Sequence, residues 1–237
     1  MTRPEPEPAT VPTPAGDMPA HLWHPASGSG PGLLLLQEIF GVSGYIRRRA
    51  ADLAEAGYVV LAPELYWRIG ADPIGESAPG AIEEAMGRVQ RLDWATTVAD
   101  AVAALGALRE RDEVVGGSGV IGFCFGGGLG FNVAAVDAPD VLVSYYGSAI
   151  PDLLDLAPQV TAPSLHHFGT ADAYIDGATV ERIRVAVTAG DATVEFETYE
   201  GANHAFDNSD FVLHHPDASA LAWQRTRAFL ARELPVA

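Results

Sequence analysis

The sequence predicts an α/β fold, a doubly wound, mostly parallel sheet with helices on both faces. Three observations carry this expectation. Short β-like runs alternate with longer helix-like segments along most of the chain. Several of the runs are continuously apolar, as strands covered on both faces must be. A glycine-flanked turn between a strand and a helix carries the only cysteine of the 237 residues. Parallel neighbours joined through helices imply right-handed crossovers.

The first residues stand apart from this pattern. Pro4-Glu5-Pro6-Glu7-Pro8 and Val11-Pro12-Thr13-Pro14 make residues 1–16 an acidic, proline-rich stretch. It reads as an extended tail without enough apolar surface to fold alone. Residues 17–237 then form one α/β domain, a length that requires no second core. Gly32–Gln37 is a buried strand; Ser43 caps a helix that runs to Glu55, and Gly57 ends it. Tyr58–Ala62 is the next strand, stopped by Pro63. Residues 72–80 are rich in turn formers and read as an insertion or lid loop. Helices follow at Ala81–Arg88 and from Asp93 to about Arg111, where Trp94, Val98, Val102 and Leu105 share one face. Beyond the cysteine turn and its helix come strands at Val141–Tyr145, Ser164–Phe168 and Thr193–Tyr199. A helix at Ala178–Thr188 separates the last two, and Ser219–Leu230 makes a final helix.

Composition narrows the function. With 48% hydrophobic residues the chain is globular, and its net charge of −17 argues against nucleic acid or an anionic membrane as partner. A single cysteine allows no internal disulfide, and the acidic start is unlike a signal peptide, so the expected location is cytoplasmic. The longest apolar runs, such as Leu33–Leu36, are far too short to span a bilayer.

The cysteine lies in Gly122-Phe123-Cys124-Phe125-Gly126-Gly127, directly after the apolar run Gly119-Val120-Ile121. Glycines two before and two after a residue at such a turn are required where any Cβ would strike the folded-back chain. This matches the nucleophile elbow of the α/β-hydrolases, with cysteine in place of serine. The turn projects the thiol from the sheet end and sets it at a helix N-terminus, whose free N–H groups favour thiolate.

Reactive residues of an open α/β sheet are expected just after the strands. Glu38 follows the Leu33–Leu36 strand, Asp172 follows Ser164–Phe168, and His204 follows Thr193–Tyr199. The order Cys124, Asp172, His204 is nucleophile, acid, base. His204 suits proton transfer near neutral pH, and Asp172 would orient it. Asp176 is the alternative acid, although either aspartate could instead cap the following helix. Glu38 either caps a turn or serves the chemistry. Backbone N–H groups of Phe125 and Ile39 are the expected oxyanion hole.

Gln37-Glu38-Ile39-Phe40-Gly41, Ala62-Pro63-Glu64-Leu65-Tyr66, the elbow, Gly169-Thr170-Ala171-Asp172 and His204-Ala205-Phe206 together resemble the dienelactone hydrolase family, from about Leu33 to the C-terminus. The resemblance implies an α/β-hydrolase fold and a Cys-His-Asp triad on Cys124, His204 and Asp172. It also implies that Glu38 helps deprotonate the thiol when substrate binds. Two positions depart from the pattern. Glu64 stands where the family usually has aspartate. Asn208 stands four residues after the histidine, where members acting on carboxylate-bearing lactones carry arginine; Arg88 and Arg91, bordering the lid-like region, are the candidate replacements. The expected activity is hydrolysis of a small-molecule ester or lactone through an acyl-thioester. Other activated acyl compounds, such as thioesters or neutral and xenobiotic esters, are the alternative, as is a non-catalytic ligand-binding module on the same fold.

No cofactor or metal is called for. His166-His167 and His214-His215 are adjacent pairs, and neighbours on a strand point to opposite faces without a third ligand at suitable spacing. The Gly126-Gly127-Gly128 run with Gly130 lacks the features of a nucleotide-binding loop.

Overall fold

The computed structural model describes residues 3–190 and 192–236. Its strands are β1 (Glu7–Thr13), β2 (Gly16–Trp23), β3 (Gly30–Leu36), β4 (Val59–Pro63), β5 (Val114–Phe123), β6 (Val141–Tyr145), β7 (Ser164–Gly169) and β8 (Val194–Tyr199). They form one sheet in the order β1-β2-β4-β3-β5-β6-β7-β8. The pairs from β4 to β8 are parallel, while β2 runs antiparallel to both β1 and β4. The helices are α1 (Gly44–Glu55), α2 (Ala81–Val89), α3 (Trp94–Arg109), α4 (Phe125–Val136), α5 (Gly177–Val187) and α6 (Pro216–Glu233).

The period of two along each strand divides the core. Leu33 and Leu35 pack on one face with residues of α1 and α6, whereas Leu34 and Leu36 pack on the other with residues of α3, α4 and α5. Both faces are therefore covered, which is why β3 reads as an unbroken apolar run. The expected α3 face is present: Val98 and Leu105 are buried, with Trp94 and Val102 packed against the same cluster.

The N-terminal expectation needs correction. Residues 7–13 are extended, but they are no free tail: they form β1, paired with β2 from Glu7↔Leu22 to Thr13↔Gly16. Val11 and its partner Met18 are fully buried and anchor the hairpin. An edge strand has one side on which a missing N–H costs no ladder bond, and Pro8 and Pro12, an even number of residues apart, share one side. Prolines that disqualify a central strand are tolerated there.

Local signals fared unevenly. Gly57 ends α1 with φ of +106°, but Ser43, at the expected cap position, makes no side-chain cap bond. The 72–80 segment is held down by the Ile74 N–H, which donates to the Phe40 carbonyl at 2.8 Å. Ile74 packs with Phe40, Ala81 and Ala85 beneath α2. Glu64, just after β4, ties it to β2: its backbone N–H donates to the Pro19 carbonyl at 2.9 Å and its carboxylate lies 2.7 Å from His21 Nε2. No helix among the described residues is long and apolar enough to cross a membrane.

Candidate active site

The turn after β5 has the geometry that its glycines require. Cys124 sits at φ 52°, ψ −112°. A Cβ on Gly122 would lie 2.0 Å from the Gly126 carbonyl oxygen, and one on Gly126 would lie 2.3 Å from that of Leu36. Neither backbone can yield, so only glycine permits the bend. The non-glycine residues with positive φ among the described residues are Cys124, Tyr146 and Ala205. All three lie at this site, the pattern expected where strain is kept for function.

Three loops at the carboxyl ends of β5, β7 and β8 bring the predicted residues together. His204 Nε2 lies 3.0 Å from Cys124 Sγ, and its Nδ1 lies 2.8 Å from Asp172 Oδ2. Asp172 Oδ1 accepts the backbone N–H groups of Tyr174 and Ile175 at 2.8 and 2.9 Å, so the carboxylate is fixed before it meets the histidine. Asn203 Oδ1 accepts the N–H groups of both Ala173 and His204, stitching the aspartate loop to the histidine loop. Asp176 is elsewhere: it caps α5 by accepting the Thr179 N–H.

Burial alone would make the His204 imidazole harder to protonate. The adjacent Cys124 sulfur and the Asp172 carboxylate outweigh that effect and hold its pKa well above the ordinary value. Imidazolium is the form these partners favour.

Glu38, at the end of β3, is 1% exposed. Its Oε2 accepts from Asn208 Nδ2 at 2.6 Å and its Oε1 from the Tyr146 hydroxyl at 3.1 Å. Burial raises its pKa from 4.5 to about 7 against the lowering effects of Asn208, His204 and Tyr146, with Glu76 adding to the rise. Asn208 thus occupies the position of the family arginine with a neutral donor, which cannot hold the carboxylate charged as a guanidinium would.

That shift carries a stability consequence. Below about pH 4.5 folded and unfolded chains both hold this proton; as pH rises through about 7 the folded chain keeps it longer and then ionises in a buried site, so stability falls across the window. The total is about 3 kcal/mol. Glu38→Gln, which cannot ionise, is expected to gain stability over the wild type at pH 8 compared with pH 5. Urea midpoints at the two pH values check this, and an equal difference at both would refute it.

Cys124, Glu38 and His204 line one cavity of about 200 Å³ with Ile39 and Phe125. Phe125 is the first residue of α4, where an N–H has no partner within the helix. Ile39 follows Glu38 and lines the same cavity. The rest of the lining comes mainly from Phe40, Phe211 and the α2 residues Ile82, Met86 and Val89. Arg88 and Arg91 are not among the lining residues; Arg88 pairs with Glu84 at 2.6 Å.

Several contributors were invisible in the sequence. Tyr146 donates to Glu38, and its ring lies 5.2 Å from that of His204. Behind the histidine loop, Asp207 is fully buried and accepts from Arg49, Tyr45 and Ser219. The histidine pairs lie away from the cavity: His166 and His167 are buried in β7 with their pKa values lowered by burial, and His215 caps α6.

The chain is similar to known proteins in sequence and in fold. A family model described as "Dienelactone hydrolase family" matches residues 18–234. A carboxymethylenebutenolidase from Pseudomonas sp. (strain P51) is 34% identical over 225 residues, covering 93% of this chain and 92% of the relative. Another from Pseudomonas putida is 32% identical over 211 residues, covering 87% and 88%. A solved structure from Klebsiella pneumoniae subsp. pneumoniae MGH 78578 aligns with a TM-score of 0.84 at 30% identity, over 98% of this chain and 100% of that one.

Proposed function

Since this chain belongs to the dienelactone hydrolase family and is a hydrolase acting on ester or lactone bonds, we propose that it cleaves them by acyl transfer through Cys124. The observation that carries this reading is the hydrogen-bonded line Asp172, His204, Cys124 on a strained elbow at the wall of a cavity. Sγ gives its proton to His204 Nε2, forming the imidazolium that its surroundings favour, and the thiolate attacks the substrate carbonyl carbon. The carbonyl oxygen takes the negative charge between the N–H groups of Phe125 and Ile39. The bond to the leaving oxygen then breaks, and that oxygen takes the proton from Nε2, leaving an acyl-thioester. Water attacks the thioester, gives a proton to Nε2 and releases the carboxylic acid, while the proton returns to sulfur. Asp172 keeps Nδ1 protonated and stabilises the imidazolium. Glu38, which lines the same cavity with a pKa of about 7, is a second proton acceptor: in place of His204, it takes the thiol proton when substrate fills the cavity and returns it to sulfur at the end of the cycle. An already protonated His204 then supplies the leaving oxygen.

The test is to trap the intermediate. Mixing the protein with excess p-nitrophenyl acetate should release about one equivalent of p-nitrophenolate in a burst wherever deacylation is slower than acylation. Acid quenching and peptide mass spectrometry should then place one acetyl group on Cys124, labile to hydroxylamine. Turnover with neither burst nor adduct would count against the thioester. Binding of the ester without product would support the ligand-binding module instead.

A further inference from the structure

We propose that the site selects neutral esters with an apolar acyl chain and rejects substrates bearing a carboxylate, an inference that rests on the cysteine reading above. The cavity wall is built from Phe40, Ile82, Met86, Val89, Phe125 and Phe211, and it carries no arginine. Lysine cannot serve either, because the chain contains none. The charge-bearing groups of the lining other than the thiol and the Tyr174 phenol are Glu38 and His204, and His204 already faces Asp172 and Cys124.

An anionic group on the acyl chain would therefore leave water for an apolar wall with no counter-charge, and a buried charge without a partner is strongly disfavoured. It would also lie in the same cavity as Glu38, half ionised near pH 7. The Asn208 amide is engaged by Glu38, to which it donates at 2.6 Å. On the outside, the net charge of −17 lowers the local concentration of anions.

A second observation points to what the cavity does take. Ile82 and Met86 on α2 are 39% and 44% exposed although both line the cavity, so apolar surface at its mouth has no protein partner. An apolar chain lying under α2 would cover it. The opposite wall belongs to the leaving group, whose oxygen must face His204 Nε2; there Tyr174, with its ring 5.2 Å from that of His204, is 63% exposed and leaves that side open to solvent. At about 200 Å³ the space is below the range of roughly 300–1,000 Å³ typical of pockets for drug-sized ligands, which fits a short acyl group.

The test compares p-nitrophenyl butanoate with p-nitrophenyl hydrogen succinate, which share a leaving group and acyl length and differ in the terminal carboxylate. The expected kcat/KM ratio is at least about 100 in favour of the butanoate, and Ile82→Arg should reduce it about tenfold or more by supplying a cation at the cavity. Similar rates for the two esters, with both lost in Cys124→Ala, would overturn the selectivity while leaving the cysteine reading intact. Turnover that persists in Cys124→Ala would instead overturn the cysteine reading. The charge of the cavity has a readout independent of turnover: as Cys124 is the only cysteine, its alkylation by iodoacetamide and by iodoacetate can be followed by intact mass. Relative to glutathione, the neutral reagent should be favoured at least about tenfold; a ratio equal to that of glutathione would overturn the proposal even if neither ester is a substrate.

Discussion

Cys124→Ala is expected to reduce kcat for a p-nitrophenyl ester by about 10⁴-fold or more, because no other side chain at the site can form the acyl intermediate. The neighbouring hydroxyl, Ser148, is 3.9 Å from Sγ and has no hydrogen bond to His204, so it lacks the base that a replacement nucleophile would need. The fold should survive. Alanine meets the same φ of 52° as cysteine, and the deleted sulfur borders a cavity rather than a packed void, so the stability change should stay within about 1 kcal/mol. Steady-state rates and thermal melts on the same preparation separate loss of chemistry from loss of structure. Residual activity near the wild-type level would exclude Cys124 as the nucleophile.

The loss would be read from a residue that the sequence already singled out, and the reason is local. Gly122 is required because its Cβ would strike the Gly126 carbonyl within the same turn, and a constraint that closes over five residues is visible in five residues; Gly126 is required by β3, whose Leu36 and Gln37 carbonyls its Cβ would strike. The unbroken apolar run of β3, the close of α1 at Gly57 and the order of Cys124, Asp172 and His204 are legible from the chain itself. Each depends on neighbours in the chain or on the general rule that places ligands at strand ends.

What escaped the sequence depends on distant pairing. Asn208 reads as a polar loop residue until it meets Glu38, 170 positions away, and Tyr146 until it meets the same carboxylate across 108 positions. The proline-rich start read as a tail because proline content is a local signal against strands, whereas its pairing with β2 is permitted by being last in the sheet. Helix α2 was expected from its spacing, but the sequence did not reveal that Ile82 and Met86 border the cavity. The same two residues would have been assigned to a half-exposed face of an ordinary surface helix.

The choice between Asp172 and Asp176 shows how geometry turns such an ambiguity into an experiment. Asp172→Asn is expected to lower kcat by about 10⁴-fold. The asparagine oxygen must stay where Oδ1 now accepts the Tyr174 and Ile175 N–H groups, which turns the amide NH₂ toward His204 Nδ1. Two donors cannot share that 2.8 Å contact, so Nδ1 must give up its hydrogen and Nε2 must carry it. Nε2–H then points at Sγ, where a proton acceptor is needed, and the imidazolium loses its countercharge. Asp176→Asn is the internal control: the residue is exposed, caps α5 and makes no bond to His204, and asparagine caps helices as well as aspartate does. Its kcat should match the wild type. Measured under the same conditions, a collapse in Asp172→Asn beside an unchanged Asp176→Asn would assign the acid; comparable losses in both would mean that the aspartates act through the stability of their loop rather than through the histidine.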